Sequence, residues 1–182
     1  WNEDASTYQT QWIDFMGDFP HHFTAEPLVM ARKFEELDHA CHLAPFATFE
    51  FVLRMEEMET ILESPLLASV GALRVSGKLK SRGAKSLAKI PHLTSLKTLH
   101  LGMHDITKQG LLALIDSPAS SSLTSLDLSY NKFGDTGVEA LANAANLAAL
   151  TNLNLYDTKM GEAGALALAA SPYLHSLTHL NV

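Results

Sequence analysis

The chain has 182 residues, 47% hydrophobic and 18% charged, with a formal net charge of −7 at pH 7. That apolar content supports a sizeable core, while no uninterrupted apolar run reaches the ~18 residues of a membrane-spanning helix. A single cysteine, Cys41, excludes an intrachain disulfide and fits a reducing, cytoplasmic setting, and the start at Trp1 without a leader pattern is what a trimmed chain would show.

The charge is split along the chain. Residues 1–63 carry 13 acidic and 3 basic side chains, a net of −10, whereas residues 64–182 carry 7 acidic and 10 basic, a net of +3. The first third reads as a mainly helical, acidic N-terminal cap. One helix is expected from about Ser6 to Met16, with Tyr8, Trp12 and Phe15 at helical spacing, and His21-His22 after Pro20 reads as a polar turn. Thr24 is the expected N-cap of a second helix entering at Pro27. Its Leu28, Ala31, Phe34, Leu37 and Cys41 share a face until Pro45 stops it. His39 and His42 beside Asp38 and Cys41 have metal-ligand chemistry, but no second ligand pair follows at zinc-site spacing, so no metal is assigned. Phe49, Phe51, Leu53 and Met55 then alternate as in a strand, and a helix-like stretch runs to Ser64-Pro65, an atypical first repeat.

From there a period of 27 takes over. Gly83, Gly110, Gly137 and Gly164 keep it, and so do Leu79, Ile106, Phe133 and Met160, each four residues earlier. The strand signature Leu123-x-x-Leu126-x-Leu128 recurs at Leu150, Leu153 and Leu155, at Leu177, Leu180 and Val182, and at Leu96, Leu99 and Leu101. One residue out of step, it also occurs at Val70, Leu73 and Val75. After each strand comes a polar loop, then a helix-type stretch marked by Leu87, Leu114, Leu141 and Leu168, then a breaker at Pro91, Pro118, Ala145 or Pro172. Thr136 and Glu139 have the spacing of a capping box. The glycines are expected to serve either a positive φ or a close backbone approach. One unit cannot bury its own leucines, so neighbours must stack and share a continuous core.

Leu123-Thr-Ser-Leu126-Asp-Leu128-Ser-Tyr-Asn131-Lys-Phe-Gly-Asp-Thr-Gly137-Val-Glu-Ala-Leu141-Ala resembles the long, ribonuclease-inhibitor-type leucine-rich repeat, and the resemblance covers roughly residues 64–182. It is similar in kind to bacterial proteins with many such units. The resemblance implies an α/β solenoid, a curved horseshoe with parallel strands on its concave face and helices outside, acting as a non-catalytic scaffold for a protein partner without a cofactor. Regulation of a GTPase or other enzyme, or recognition on behalf of a catalytic domain elsewhere in a longer protein, are the alternatives. The loop asparagine of the family survives only at Asn131. Lys78, His104 and Thr158 stand at its equivalents, which predicts looser or differently bonded loops.

If the leucines point inward, the residues between them point out. Stacking in register aligns Arg74, His100, Asp127, Asn154 and Asn181 as a central row. Ala72, Thr98, Ser125, Asn152 and His179 flank it on one side, and Ser76, Gly102, Ser129 and Tyr156 on the other. Tyr130 and Tyr156, near strand ends, are the expected aromatic anchors. His100 and Asp127 become neighbours, yet no third group completes a general acid-base site, and no phosphate loop or activated serine occurs. Arg74, Lys78, Lys80, Arg82, Lys85, Lys89 and Lys97 concentrate with no acid between Glu63 and Asp105. They read as a solvated face offsetting the acidic segment, because the absence of interleaved aromatics and a pI of about 5.6 argue against nucleic acid. The last signature stops at Asn181-Val182, so further repeats, or self-association through that uncapped end, are expected.

Overall fold

A computed structural model describes residues 22–25, 48–54, 67–68 and 70–182. Seven strands form one parallel sheet in strict chain order: β1 (His22–Ala25), β2 (Thr48–Arg54), β3 (Val70–Ser76), β4 (Thr98–His100), β5 (Ser125–Asp127), β6 (Asn152–Asn154) and β7 (His179–Asn181). Parallel neighbours cannot be joined by a tight turn, so each connection must cross over. Among the described residues, four of these connections carry helices: α1 (Lys80–Leu87), α2 (Lys108–Ile115), α3 (Gly134–Ala142) and α4 (Glu162–Ala169). Successive helices pack side by side, α1 on α2, α2 on α3 and α3 on α4.

The register follows the period. Leu73 pairs with Leu99, Leu99 with Leu126, Leu126 with Leu153 and Leu153 with Leu180, so equivalent leucines stack into a column. In β4 and β5 the central leucine is buried between two half-buried neighbours. The second leucines (Leu101, Leu128, Leu155) and the helix leucines (Leu87, Leu111, Leu141) join the same apolar cluster. Fully burying one such side chain contributes about 1.5–3 kcal/mol, and the sharing between units makes the core continuous.

The helices end three or four residues ahead of Pro91, Pro118, Ala145 and Pro172, as the breakers require. The periodic glycines lie within the opening turns of the helices, and the described glycines with positive φ are instead Gly77 and Gly134. Close approach therefore accounts for the glycine at Gly110, Gly137 and Gly164. A Cβ on Gly137 would stand 2.6 Å from Cδ2 of Phe133, and one on Gly110 would stand 2.9 Å from both Cγ2 of Ile106 and Cα of Ser81. At Gly137 the apolar residue four positions earlier fills the space alone, while at Gly110 and Gly164 it shares it with Ser81 and Asp135 of the preceding unit.

Three sequence expectations are corrected. Thr24 and His22 lie inside β1 and pair with β2, so Thr24 is not a helix N-cap and His22 is not in a turn. Thr136 falls inside α3, whose N-cap is Phe133 with no side-chain cap, so the Thr136–Glu139 capping box does not open that helix. Capping instead crosses between units. Oδ1 of Asp135, in the first turn of α3, accepts from the amides of Gly161 (2.6 Å) and Gly164 (2.9 Å) at the start of α4. In the same way Ser81 Oγ in α1 accepts from Thr107 N at 3.0 Å, ahead of α2. The other helices expected in residues 1–63, and the Asp38–His42 group, lie outside the described residues.

Candidate recognition face

The sheet face opposite the helices carries the expected rows. Arg74 pairs with His100, His100 with Asp127, Asp127 with Asn154 and Asn154 with Asn181, and the Ala72–His179 row aligns in parallel. Arg74 and Asn181 are exposed, and His100, Asp127 and Asn154 are half-buried. The central polar groups are partly engaged with their own turns. Asp127 Oδ1 accepts from Ser129 N (3.0 Å), and 27 residues on, Asn154 Oδ1 accepts from Tyr156 N (3.1 Å) and from Asn181 Nδ2 (3.0 Å). His100 and Asp127 are register neighbours, but no ion pair joins them within 4.0 Å among the described residues.

Ser129, expected on the outward flank, is only 7% exposed. Its Oγ stands 2.8 Å from where a Cβ on Gly102 would be, so it fills the space left by the side chain that the neighbouring unit lacks. Tyr156, at the corresponding place one unit on, is too large to be tucked in and stays out.

Beyond β3, β4, β5 and β6 the chain turns through a left-handed residue: Gly77 (φ 85°), Met103 (66°), Tyr130 (56°) and Asp157 (50°) occupy one position in successive units. For a residue with a Cβ this conformation costs about 1–2 kcal/mol. It carries the ladder onward, with Met103 N donating to Ser129 O (2.9 Å) and Tyr130 N to Tyr156 O (2.8 Å). It also leaves Met103 and Tyr130 exposed, and Tyr156, just before Asp157, is exposed as well. The rings of Tyr130 and Tyr156 meet edge to face, with centroids 5.3 Å apart and planes at 74°.

Beneath this edge runs a buried polar spine. Asn131 is fully buried, and its Nδ2 donates to the carbonyls of Leu101 (2.7 Å), Leu128 (2.9 Å) and Ser129 (3.1 Å), while Oδ1 accepts from Ile106 N (2.8 Å). In the preceding unit His104 has the same role: Nδ1 accepts from Leu79 N at 3.3 Å, and the ring hydrogen-bonds the carbonyls of Gly77 and Val75. Leu79 and Ile106 each stand 25 residues before their acceptor, so the imidazole reproduces the amide's reach between units. Burial lowers the His104 pKa below 6.5, against the raising effect of the Gly77 and Val75 carbonyls; the Lys78 ammonium lowers it further and Asp105 opposes that. Thr158 is also buried; its hydroxyl donates to Leu155 O of its own unit (2.8 Å), and its carbonyl accepts from Gly134 N of the preceding unit (3.0 Å). Lys78 is exposed and pairs instead with Asp105 at 2.8 Å, and that hydrogen bond is the main cause holding the Asp105 carboxyl below its ordinary pKa. The loops without asparagine are thus differently bonded.

Two hollows open on this face. One, of about 260 Å³, lies among Arg74, His100, Met103, Asp127 and Tyr130. The other, of about 590 Å³, spreads over Ser125, Asp127, Asn152, Asn154 and His179. The expected positions Arg74, His100, Asp127, Asn154, Asn181, Tyr130 and Tyr156 all lie on this face or its loop edge. Met103 and His104 also line the first hollow, and the sequence reading does not reach them. The left-handed position equivalent to Tyr130 is the signal that points to Met103.

The leucine-rich-repeat family model matches residues 92–114 and 119–142. No curated protein matches the chain. An internalin (inlF) from Listeria monocytogenes str. 4b F2365 is similar among solved structures, at 16% identity and a TM-score of 0.36, covering 74% of this chain and 40% of that one. The chain thus spans less than half the length of that internalin. No helix of the described residues is long and apolar enough to cross a membrane. With a repeated strand–loop–helix unit, one parallel sheet in chain order and a repeat-family match inside it, the chain is a leucine-rich-repeat α/β solenoid.

Proposed function

We propose that this chain is a non-catalytic recognition module that binds a protein partner through the open face of its sheet. The observation that carries this reading is the contrast between the two sides of each strand. The buried positions Leu73, Leu99, Leu126 and Leu153 are the same residue in successive units, while the stacked outward positions run Arg74, His100, Asp127, Asn154. A frame held constant beneath a varied polar face is the arrangement by which a solenoid presents an extended binding surface. Leucine-rich repeats generally mediate protein–protein contacts, and Tyr and Arg, both present here, dominate interface energetics. We also assign the units to the ribonuclease-inhibitor type, on the strength of their 27-residue period and the α-helix in each connection from β3 onward.

The test is alanine at His100, Asp127 and Tyr156 together, followed by quantitative affinity measurement for each partner recovered with the wild-type chain. Affinity should fall at least about tenfold if the face carries the dominant contacts. Undiminished binding to every partner would remove the sheet face as the binding surface.

A further inference from the structure

The two hollows on the sheet face differ in charge. The smaller is lined by both Arg74 and Asp127. In the larger, of about 590 Å³, Asp127 is the one formally charged lining residue when histidines are counted as neutral; around it stand His100, His179, asparagines, hydroxyl side chains and strand leucines. Arg74 lies two strands from Asp127, roughly 10 Å at the usual strand spacing and about one screening length at physiological salt, and it is already engaged within the chain. Among the described residues no cation pairs with Asp127. The larger hollow is therefore negative on the side that Asp127 forms.

Only one oxygen of this carboxylate is in use. Oδ1 accepts from Ser129 N at 3.0 Å, which holds the side chain over the turn, and Oδ2 makes no hydrogen bond among the described residues. Neutral acceptors share the hollow. The Ser125 hydroxyl, two residues back on the same face, is without a partner among the described residues, and Asn181 gives its Nδ2 to Asn154 while its Oδ1 stays unused. A guanidinium, with five N–H donors in one plane, can bridge a carboxylate oxygen and such neutral acceptors, whereas an ammonium is a point charge. A bound metal ion is not favoured, since the described residues hold no group of three metal-ligating side chains. Asp127 is half-buried, so a cation seated on it is screened less than one on a fully exposed carboxylate. The volume lies within the ~300–1,000 Å³ of drug-sized pockets, enough for a long side chain with part of the backbone that bears it. Three residues on from Asp127 is Tyr130, held edge to face against Tyr156, so two exposed rings are ordered at the end of the same strands before any partner arrives.

Resting on the recognition reading above, we propose that the larger hollow takes an arginine from an extended segment of a partner protein, with its guanidinium on Asp127 Oδ2 and a large apolar side chain of the same segment on the Tyr130–Tyr156 edge. A random dodecamer library displayed on phage, selected against the full chain, tests it. Enriched sequences should carry Arg within about three residues of Phe, Leu or Trp, the span from Asp127 to Tyr130 in extended chain. The corresponding synthetic peptides should lose affinity about tenfold or more on Asp127→Asn. Asparagine keeps an oxygen to accept from Ser129 N, so an unchanged thermal unfolding transition shows that the loss is one of charge and not of the turn. Citrulline in place of the peptide arginine keeps the shape and removes the charge; it should weaken binding to the wild type about as much and change binding to Asp127→Asn little, which identifies the two groups as partners. Enriched peptides that carry lysine or no cation, or that bind Asp127→Asn as well as the wild type, would overturn this inference; a fall in their affinity on Asn154→Ala combined with Tyr156→Ala would leave the recognition reading standing. Peptides indifferent to every substitution on the sheet face would overturn both. No enrichment at all would overturn the inference.

Discussion

Lowering the pH from about 7.5 to about 5.5 should weaken this fold through His104. The neutral ring accepts from Leu79 N through Nδ1, in a site only 5% exposed, and hydrogen-bonds the carbonyls of Gly77 and Val75. Protonation converts Nδ1 into a donor facing another donor, and a buried amide left without its acceptor costs about 1–3 kcal/mol. The direction follows from linkage. Burial sets the folded pKa below the ordinary 6.5, so the unfolded chain takes up the proton first. Stability is therefore full above the unfolded pKa, declines as pH falls through it at no more than about 1.4 kcal/mol per pH unit for one proton, and levels off below the folded pKa. His104→Asn installs the side chain that Asn131 uses at the equivalent place and removes the proton. Urea unfolding of both proteins, followed by far-UV circular dichroism across this range, isolates the effect, because the other eight of the nine histidines are common to both. The wild type should lose stability relative to His104→Asn as pH falls. Parallel stability curves would refute the buried, neutral His104, and a variant several kcal/mol less stable at pH 7.5 would refute its equivalence to Asn131.

Other substitutions probe the contacts between units. Asp135→Ala should cost about 1 kcal/mol in urea unfolding by uncapping the amides of Gly161 and Gly164, while Asp135→Asn, which keeps an acceptor oxygen, should lose less; an unaffected alanine variant would dismiss the cross-unit cap. Gly137→Ala should destabilise by about 1–3 kcal/mol, although helix propensity alone predicts a gain of about 1 kcal/mol, since the new Cβ meets Phe133 at 2.6 Å; a rise in Tm would show that Phe133 yields without cost. Leu126→Ala, in the middle of the stacked column, should cost about 2–5 kcal/mol in denaturant titration, and a loss below about 1 kcal/mol would mean that the column collapses to fill the cavity.

The repeating unit and its inward and outward faces are legible in the sequence, because both depend on spacing along the chain. Period-2 alternation buries Leu99, Leu126 and Leu153, and a constant 27 residues brings Asp127 beside His100 and Asn154. The strand ends place Tyr130 and Tyr156 near the loop edge, and the breakers mark the helix ends. Whatever requires two units in contact emerges only on folding. Spacing cannot reveal that Asp135 caps the following helix and not its own, because that bond joins residues 26 and 29 apart. Nor can it reveal that an imidazole satisfies at His104 the amide that a carboxamide satisfies at Asn131, since the equivalence exists only once Leu79 N has been brought within 3.3 Å. Ser129 lies inside because Gly102, on the adjacent strand's loop, lacks a side chain. The glycine period can be read off the chain, but the steric reason at Gly110, Gly137 and Gly164 emerges on folding, where Ile106, Phe133 and Met160, with Ser81 and Asp135 of the preceding units, fill the space that a Cβ would take.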